Sequence, residues 1–177
     1  MNIARIEVRL RDLAQLFNSL DPSPFIDRDL DADAEGFIVG WARELPVHAE
    51  FELVVHLPTA PDAERAAGTE EAVQHYFASR ATIHRRELRQ LLRRGRTSLV
   101  IGLAFLAACF GLGLLLLGLV PGRWGAFAEL GVQIVGWVAM WRPLEIFLYD
   151  WWPVRADMRL AERLSRMKVS LRIGNGG

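Results

Sequence analysis

The chain changes its hydrophobic rhythm several times. In "IARIEVRL" the residues Ala4, Ile6, Val8 and Leu10 alternate with Arg5, Glu7 and Arg9. In "FELVVHL" Phe51, Leu53, Val55 and Leu57 share one face, and "KVSLRI" places Val169, Leu171 and Ile173 likewise. A period of two predicts three short strands, the last completing a sheet begun far upstream. Between the first two strands, "LAQLFNSL" predicts a short helix and "DPSPF" a turn. "DADAEGFIVGWAREL" then repeats Phe37, Ile38, Trp41 and Leu45 at helical spacing. From about Thr69 a further helix is expected to run unbroken into an apolar segment, with Gly95 as its weak point.

That segment loses all polar rhythm. Thr97 to Gly122 carries no charge, and "LVIGLAFLAACFGLGLLLLGLV" exceeds the roughly 20 apolar residues that a helix needs to cross hydrocarbon. "PGRWG" reads as a tight turn, and "AFAELGVQIVGWVAMW" as a second span returning across the membrane. The expected fold class is therefore a membrane protein of the α+β type, a two-helix transmembrane hairpin inserted in a small cytoplasmic α/β domain. The segments are 1–68 (first part of the domain), 69–96 (basic juxtamembrane helix), 97–120 (first span), 121–125 (external turn), 126–142 (second span), 143–153 (interfacial helix) and 154–177 (basic helix and last strand).

The stretch "WRPLEIFLYDWWP" sets the inner limit of the second span. At about 100° per residue Leu144, Phe147, Leu148, Trp151 and Trp152 fall in one apolar arc, opposite Arg142, Glu145, Tyr149 and Asp150, with only Ile146 out of place. An amphipathic helix lying in the interface, kinked at Pro143 and anchored by Arg142, Tyr149, Trp151 and Trp152, keeps its charges out of hydrocarbon. The competing arrangement is a straight, longer helix in which Arg142 and Glu145 pair at i, i+3.

Charge fixes an orientation. Arg85, Arg86, Arg89, Arg93, Arg94 and Arg96 precede the first span and Arg155, Arg159, Arg163, Arg166 and Lys168 follow the second, whereas the turn has only Arg123. Both termini are expected on the cytoplasmic side of a bacterial inner membrane. "MNIARIEVRLRD" lacks the apolar stretch of a signal peptide, and the Arg, Ala and Gly richness suits a GC-rich bacterial genome. The formal net charge of +0 argues against nucleic acid as a partner.

Two Arg series, Arg85, Arg89, Arg93, Arg96 and Arg155, Arg159, Arg163, Arg166, follow the same four, four, three spacing, which keeps each in one helical stripe facing outward. They are candidates for anionic lipid or an acidic partner protein. Glu129, Gln133 and Gly136 share a face of the second span, a helix-packing, homo-oligomer or pore face. No metal site or cofactor is expected. The alternating acids of "DRDLDADAE", counted from Asp27, put Ala32 and Ile38 where a calcium loop needs Gly and Glu, so Asp31 or Asp33 is expected to cap a helix. Cys109 is the lone cysteine, no His pair has metal-ligand spacing, and no phosphate loop or nucleophile elbow occurs. The functional expectation is a non-enzymatic, membrane-anchored interaction or scaffold subunit that forms oligomers. The alternatives are a channel or transporter component and, third, a membrane-surface enzyme using the acidic stretch Asp27 to Glu35.

Overall fold

A computed structural model describes residues 3–46 and 48–174. Met1, Asn2, Val47 and residues 175–177, which the expected terminal segments include, lie outside the described residues. The chain divides into two compact units, Met1–Arg85 with Ala156–Gly177, and Arg86–Arg155.

In the first unit the three period-two stretches are strands: β1 (Ile3–Arg9), β2 (Glu50–Leu57) and β3 (Lys168–Ile173). They form one parallel sheet in the order β1-β2-β3, with Ile6 opposite Leu53 and Leu53 opposite Val169. Parallel neighbours cannot be joined by a tight turn, so each connection must carry a crossover. The first crossover holds a 3-10 turn (Leu13–Leu16) in place of the helix expected there, then α1 (Ala32–Glu44). Asp31 caps α1 by accepting from the Asp33 amide at 3.0 Å. A second 3-10 turn (Phe25–Asp27) precedes α1, and the second crossover holds the remaining helices of the described residues, including the apolar segment. That is how the last strand comes to lie beside β2.

The inward faces of the sheet supply Ile6, Phe51, Leu53, Val55 and Leu57 to the core. Ile38 and Ala42 of α1, Val73 and Phe77 of α2 (Ala63–Leu119), and Leu164 and Met167 join it, with Leu13, Leu16, Phe17 and Leu30 from the first crossover. The other sheet face is polar. Arg5 Nε donates to Glu52 Oε2 at 2.9 Å and Ser170 Oγ donates to Glu52 Oε1 at 2.8 Å, tying the three strands together through side chains. The exceptions there are Ile3, which is exposed, and Val54, which is fully buried between its strand neighbours Glu7 and Ser170.

Helix α2 begins at Ala63, six residues before the expected Thr69, and passes Gly95 without a break. Within the second unit Gly95 is a point of contact: a Cβ there would meet Ile146 Cγ2 at 2.8 Å and the Phe147 ring at 3.3 Å. The turn after α2 is tighter than the expected 121–125, since α3 (Arg123–Ala139) begins directly after Gly122, whose φ of +85° suits glycine. Gly136 of α3 lies against Leu106 and Cys109 of α2, and Glu129 lies against Gly113.

Beyond α3 the expected kink takes another form. The helical backbone breaks at Met140, α4 (Trp141–Glu145) carries Pro143 buried in its first turn, and a π turn (Ile146–Asp150) leads into α5 (Trp151–Leu164). Proline fits a first helical turn because its missing N–H has no intrahelical partner there. The segment is thus neither one interfacial helix over 143–153 nor one straight helix. The π turn brings Ile146, the residue out of place in the apolar arc, into the interior, where it is 4% exposed. Leu144, Leu148 and Trp152 are exposed.

Among the described residues, α2 is the one helix long and apolar enough by itself to cross a membrane, and only 17% of its most apolar window is buried. The 17 residues of α3 rise only about 25 Å, short of the roughly 30 Å of hydrocarbon, so the second span expected at 126–142 is not formed by a single helix of sufficient length.

Candidate functional site

The Arg series do not act as uniform stripes. On α2, Arg89, Arg93 and Arg96 are exposed, while Arg85 donates through Nη2 to Glu162 of α5. On α5, Arg155 lies over the Trp151 ring at 5.3 Å and Arg159 is exposed. Beyond α5, Arg166 is exposed as well. Arg163 is turned inward, away from the outward face expected for it. Its Nη2 donates to the carbonyls of Pro46 at 3.0 Å and Ala49 at 2.8 Å, and its guanidinium covers the Phe51 ring at 4.1 Å. Burial lowers its pKa. Arg163 clamps the chain entering β2, a role that periodicity on α5 could not show.

The second unit gathers polar groups where the charged part of α2 meets the uncharged part. Gln90, Arg93, Arg94, Thr97 and Ser98 line an open cavity of about 540 Å³, faced by Arg142 of α4. The α2 residues stand at i, i+3, i+4, i+7 and i+8, which places them on one largely exposed face of the helix. Here that face is polar. The sequence carries this spacing, but Arg93 also falls in the four, four, three series with Arg85 and Arg89, which follows a different line along the helix.

Within this cavity Arg142 is held by its neighbours. Its Nη1 lies 2.9 Å from Glu145 Oε2 and 3.7 Å from Asp150 Oδ2, so the i, i+3 pair of the straight-helix alternative forms without the straight helix. Neither carboxylate lines the cavity. Thr97 Oγ1 donates to the Arg93 carbonyl at 3.1 Å. Among the described residues Arg93 and Arg94 have no acidic partner, and Ser98 and Gln90 form no side-chain hydrogen bond.

The other anchor residues divide. Tyr149 and Trp152 are exposed, whereas Trp151 is partly buried and its indole N–H donates to the Phe147 carbonyl at 2.8 Å, satisfying backbone at the π turn. On α3, Gln133 Nε2 donates to Glu129 Oε1 at 3.0 Å, one turn apart. No family model, curated protein or solved structure matches this chain.

The first unit holds a smaller cleft of about 150 Å³ among α1, α2 and α5, which sequence patterns did not point to. Glu35 accepts there from Tyr76 Oη at 2.8 Å and from Arg80 Nε at 2.9 Å. Burial, then the Glu35 carboxylate, pushes the Tyr76 phenol far above its ordinary range, so it serves as a neutral donor. Arg43 reaches Asp157 at 3.0 Å on the rim. Both carboxylates are paired with guanidinium groups, an arrangement that ties helices together. Among the described residues no group of three His, Cys, Asp or Glu side chains could hold a metal ion, and the acidic stretch contributes the α1 cap.

Proposed function

We propose that this chain is a membrane anchor of a bacterial inner membrane, a non-enzymatic scaffold subunit that presents its parallel-sheet unit at the cytoplasmic surface. The observation that carries the reading is the apolar surface of the second unit. Val100, Leu114, Trp124, Phe127, Trp137 and Val138 are each more than 60% exposed, on two successive helices. Continuous apolar surface on that scale is not left in water by a soluble monomer. Hydrocarbon is its natural surroundings.

In this reading α2 crosses once, and the return is made by α3 continued through α4. Residues 123–145 rise about 34 Å at 1.5 Å each, enough for the hydrocarbon core despite the break at Met140. Arg89, Arg93, Arg94 and Arg96 on one side and Arg155 and Arg159 on the other then lie at the same membrane face, as the positive-inside rule requires. The open polar face of the sheet, around Arg5, Glu52 and Ser170, is the surface offered to a protein partner. Oligomers would form through the small-residue faces of α2 and α3.

The test is a pair of reporter fusions in cells. A cytoplasmic reporter after Gly177 is expected to be active, and an external reporter inserted at Gly122 is expected to be active as well. An external signal from the Gly177 fusion overturns the arrangement. A second reading, a channel or transporter component, rests on the Glu129–Gln133 pair in an otherwise apolar helix. It expects Glu129→Gln to alter ion flux in reconstituted vesicles, and no measurable flux removes it.

A further inference from the structure

We propose that the cavity between α2 and α4 binds the phosphate group of a phospholipid headgroup. The inference rests on the membrane reading above and adds to it one defined site with one ligand chemistry. Five polar residues share one largely exposed face of α2 and line the cavity, and among the described residues two of them are arginines without acidic partners. A guanidinium offers five N–H donors in a fork that matches phosphate oxygens, and charge-assisted bonds of this kind are the strong ones.

Charge limits the ligand. Glu145 and Asp150 together outweigh Arg142, but they hold it from outside the cavity, and Arg93 and Arg94 bring the five groups to a net single positive charge. That balance suits a singly charged phosphodiester better than a polyanion. Gln90 and the Ser98 hydroxyl supply uncharged donors beside the two guanidinium groups. Position selects the source. The cavity straddles Arg96 and Thr97, where the charged stretch gives way to the uncharged one, so a phosphodiester seated here leaves its acyl chains beside Val100 and Ile101, both strongly exposed. A free phosphate ion would make the same polar contacts and gain nothing from that apolar wall.

The experiment uses the full chain in detergent micelles, with bound adducts counted by native mass spectrometry. Dioctanoyl phosphatidylglycerol, dioctanoyl phosphatidylcholine and inorganic phosphate are titrated separately. Saturable one-to-one binding of phosphatidylglycerol, tighter than either other probe, is expected. The Arg93→Gln/Arg94→Gln double variant should weaken it by roughly tenfold or more, the scale of two basic residues at a surface. The Arg89→Gln/Arg96→Gln variant removes the same charge outside the cavity lining and should weaken binding clearly less, because neither side chain lines the cavity. Equal losses in the two variants, or no loss in the first, overturn the site and leave only diffuse attraction. Inorganic phosphate binding as tightly as the lipid overturns the headgroup as its source. Either result leaves the Gly177 and Gly122 reporters unaffected, so the failure of the site and the failure of the membrane reading are distinguishable.

Discussion

Single residues here are constrained mostly by what they touch. A Cβ on Gly136 would come within 2.9 Å of Leu106 Cδ1 and 3.0 Å of Cys109 Cβ, whereas one on Gly131 of the same helix meets nothing within 4 Å. Gly136→Leu is expected to cost about 1–3 kcal/mol by overpacking and Gly131→Leu close to nothing, measured by thermal unfolding in the same detergent. Arg163→Met should destabilise the first unit by about 1–3 kcal/mol, because the Pro46 and Ala49 carbonyls lose their donor, and near-ultraviolet circular dichroism will register the loss. Acid sensitivity has identifiable sources in two carboxyls. The Ser170 hydroxyl and then the Arg5 guanidinium lower the Glu52 pKa below its ordinary 4.5, and chiefly the Asp29 amide lowers Asp21 below 3.8. Carboxyls lowered by folding contribute stability above their ordinary values and lose it as pH falls through their folded values. Stability measured from pH 5 downward should therefore fall, and Glu52→Gln should flatten that limb. None of this was legible from residue type alone. Arg163 has the sequence spacing of its neighbours, and only the path of the chain through Pro46 and Ala49 shows why it turns inward.

Elements were legible in proportion to the length of their pattern. The three strands and the capped helix α1 follow from alternation and one Asp, since a half-buried strand and a helix N-terminus each impose a local rule on the residues. The long helix was legible too, but its start was not. Ala63 to Gly68 has no apolar periodicity, and the helix there is held by partners distant in sequence, such as Phe25 against Gly68. The π turn at Ile146 to Asp150 left a single trace, the misplaced Ile146, because one extra residue in a turn shifts every later side chain around the axis. Gly95→Val tests the contact that this shift creates. The larger residue would collide with Ile146, itself stiff at χ1, and should separate α2 from the π turn. Faster hydrogen exchange at residues 146–150, with exchange in β1 and β2 unchanged, is the expected signature.

At the scale of the molecule, the sheet is assembled from segments lying on either side of the apolar crossover. Patterning revealed three strands, but it could not give their order, because a period of two says which side a residue faces and nothing about its neighbours. Pairing of β3 with β2 makes the central strand depend on the last one: Leu53, Val55 and Leu57 each face a β3 residue across the register. Arg172→Pro on β3 removes a backbone donor on the β2 side, in phase with the Gly174 amide that donates to the Leu57 carbonyl, and should make the first unit more sensitive to protease, while Leu148→Pro, outside that unit, should not. During synthesis β2 leaves the ribosome with one edge satisfied by β1 and the other bare, and it stays so until residues 58–167 have followed. Translation thus carries a waiting period in which an unpaired, apolar strand stands ready to join any passing chain. The cell must either shield that edge or deliver the crossover to its destination before it finds the wrong companion.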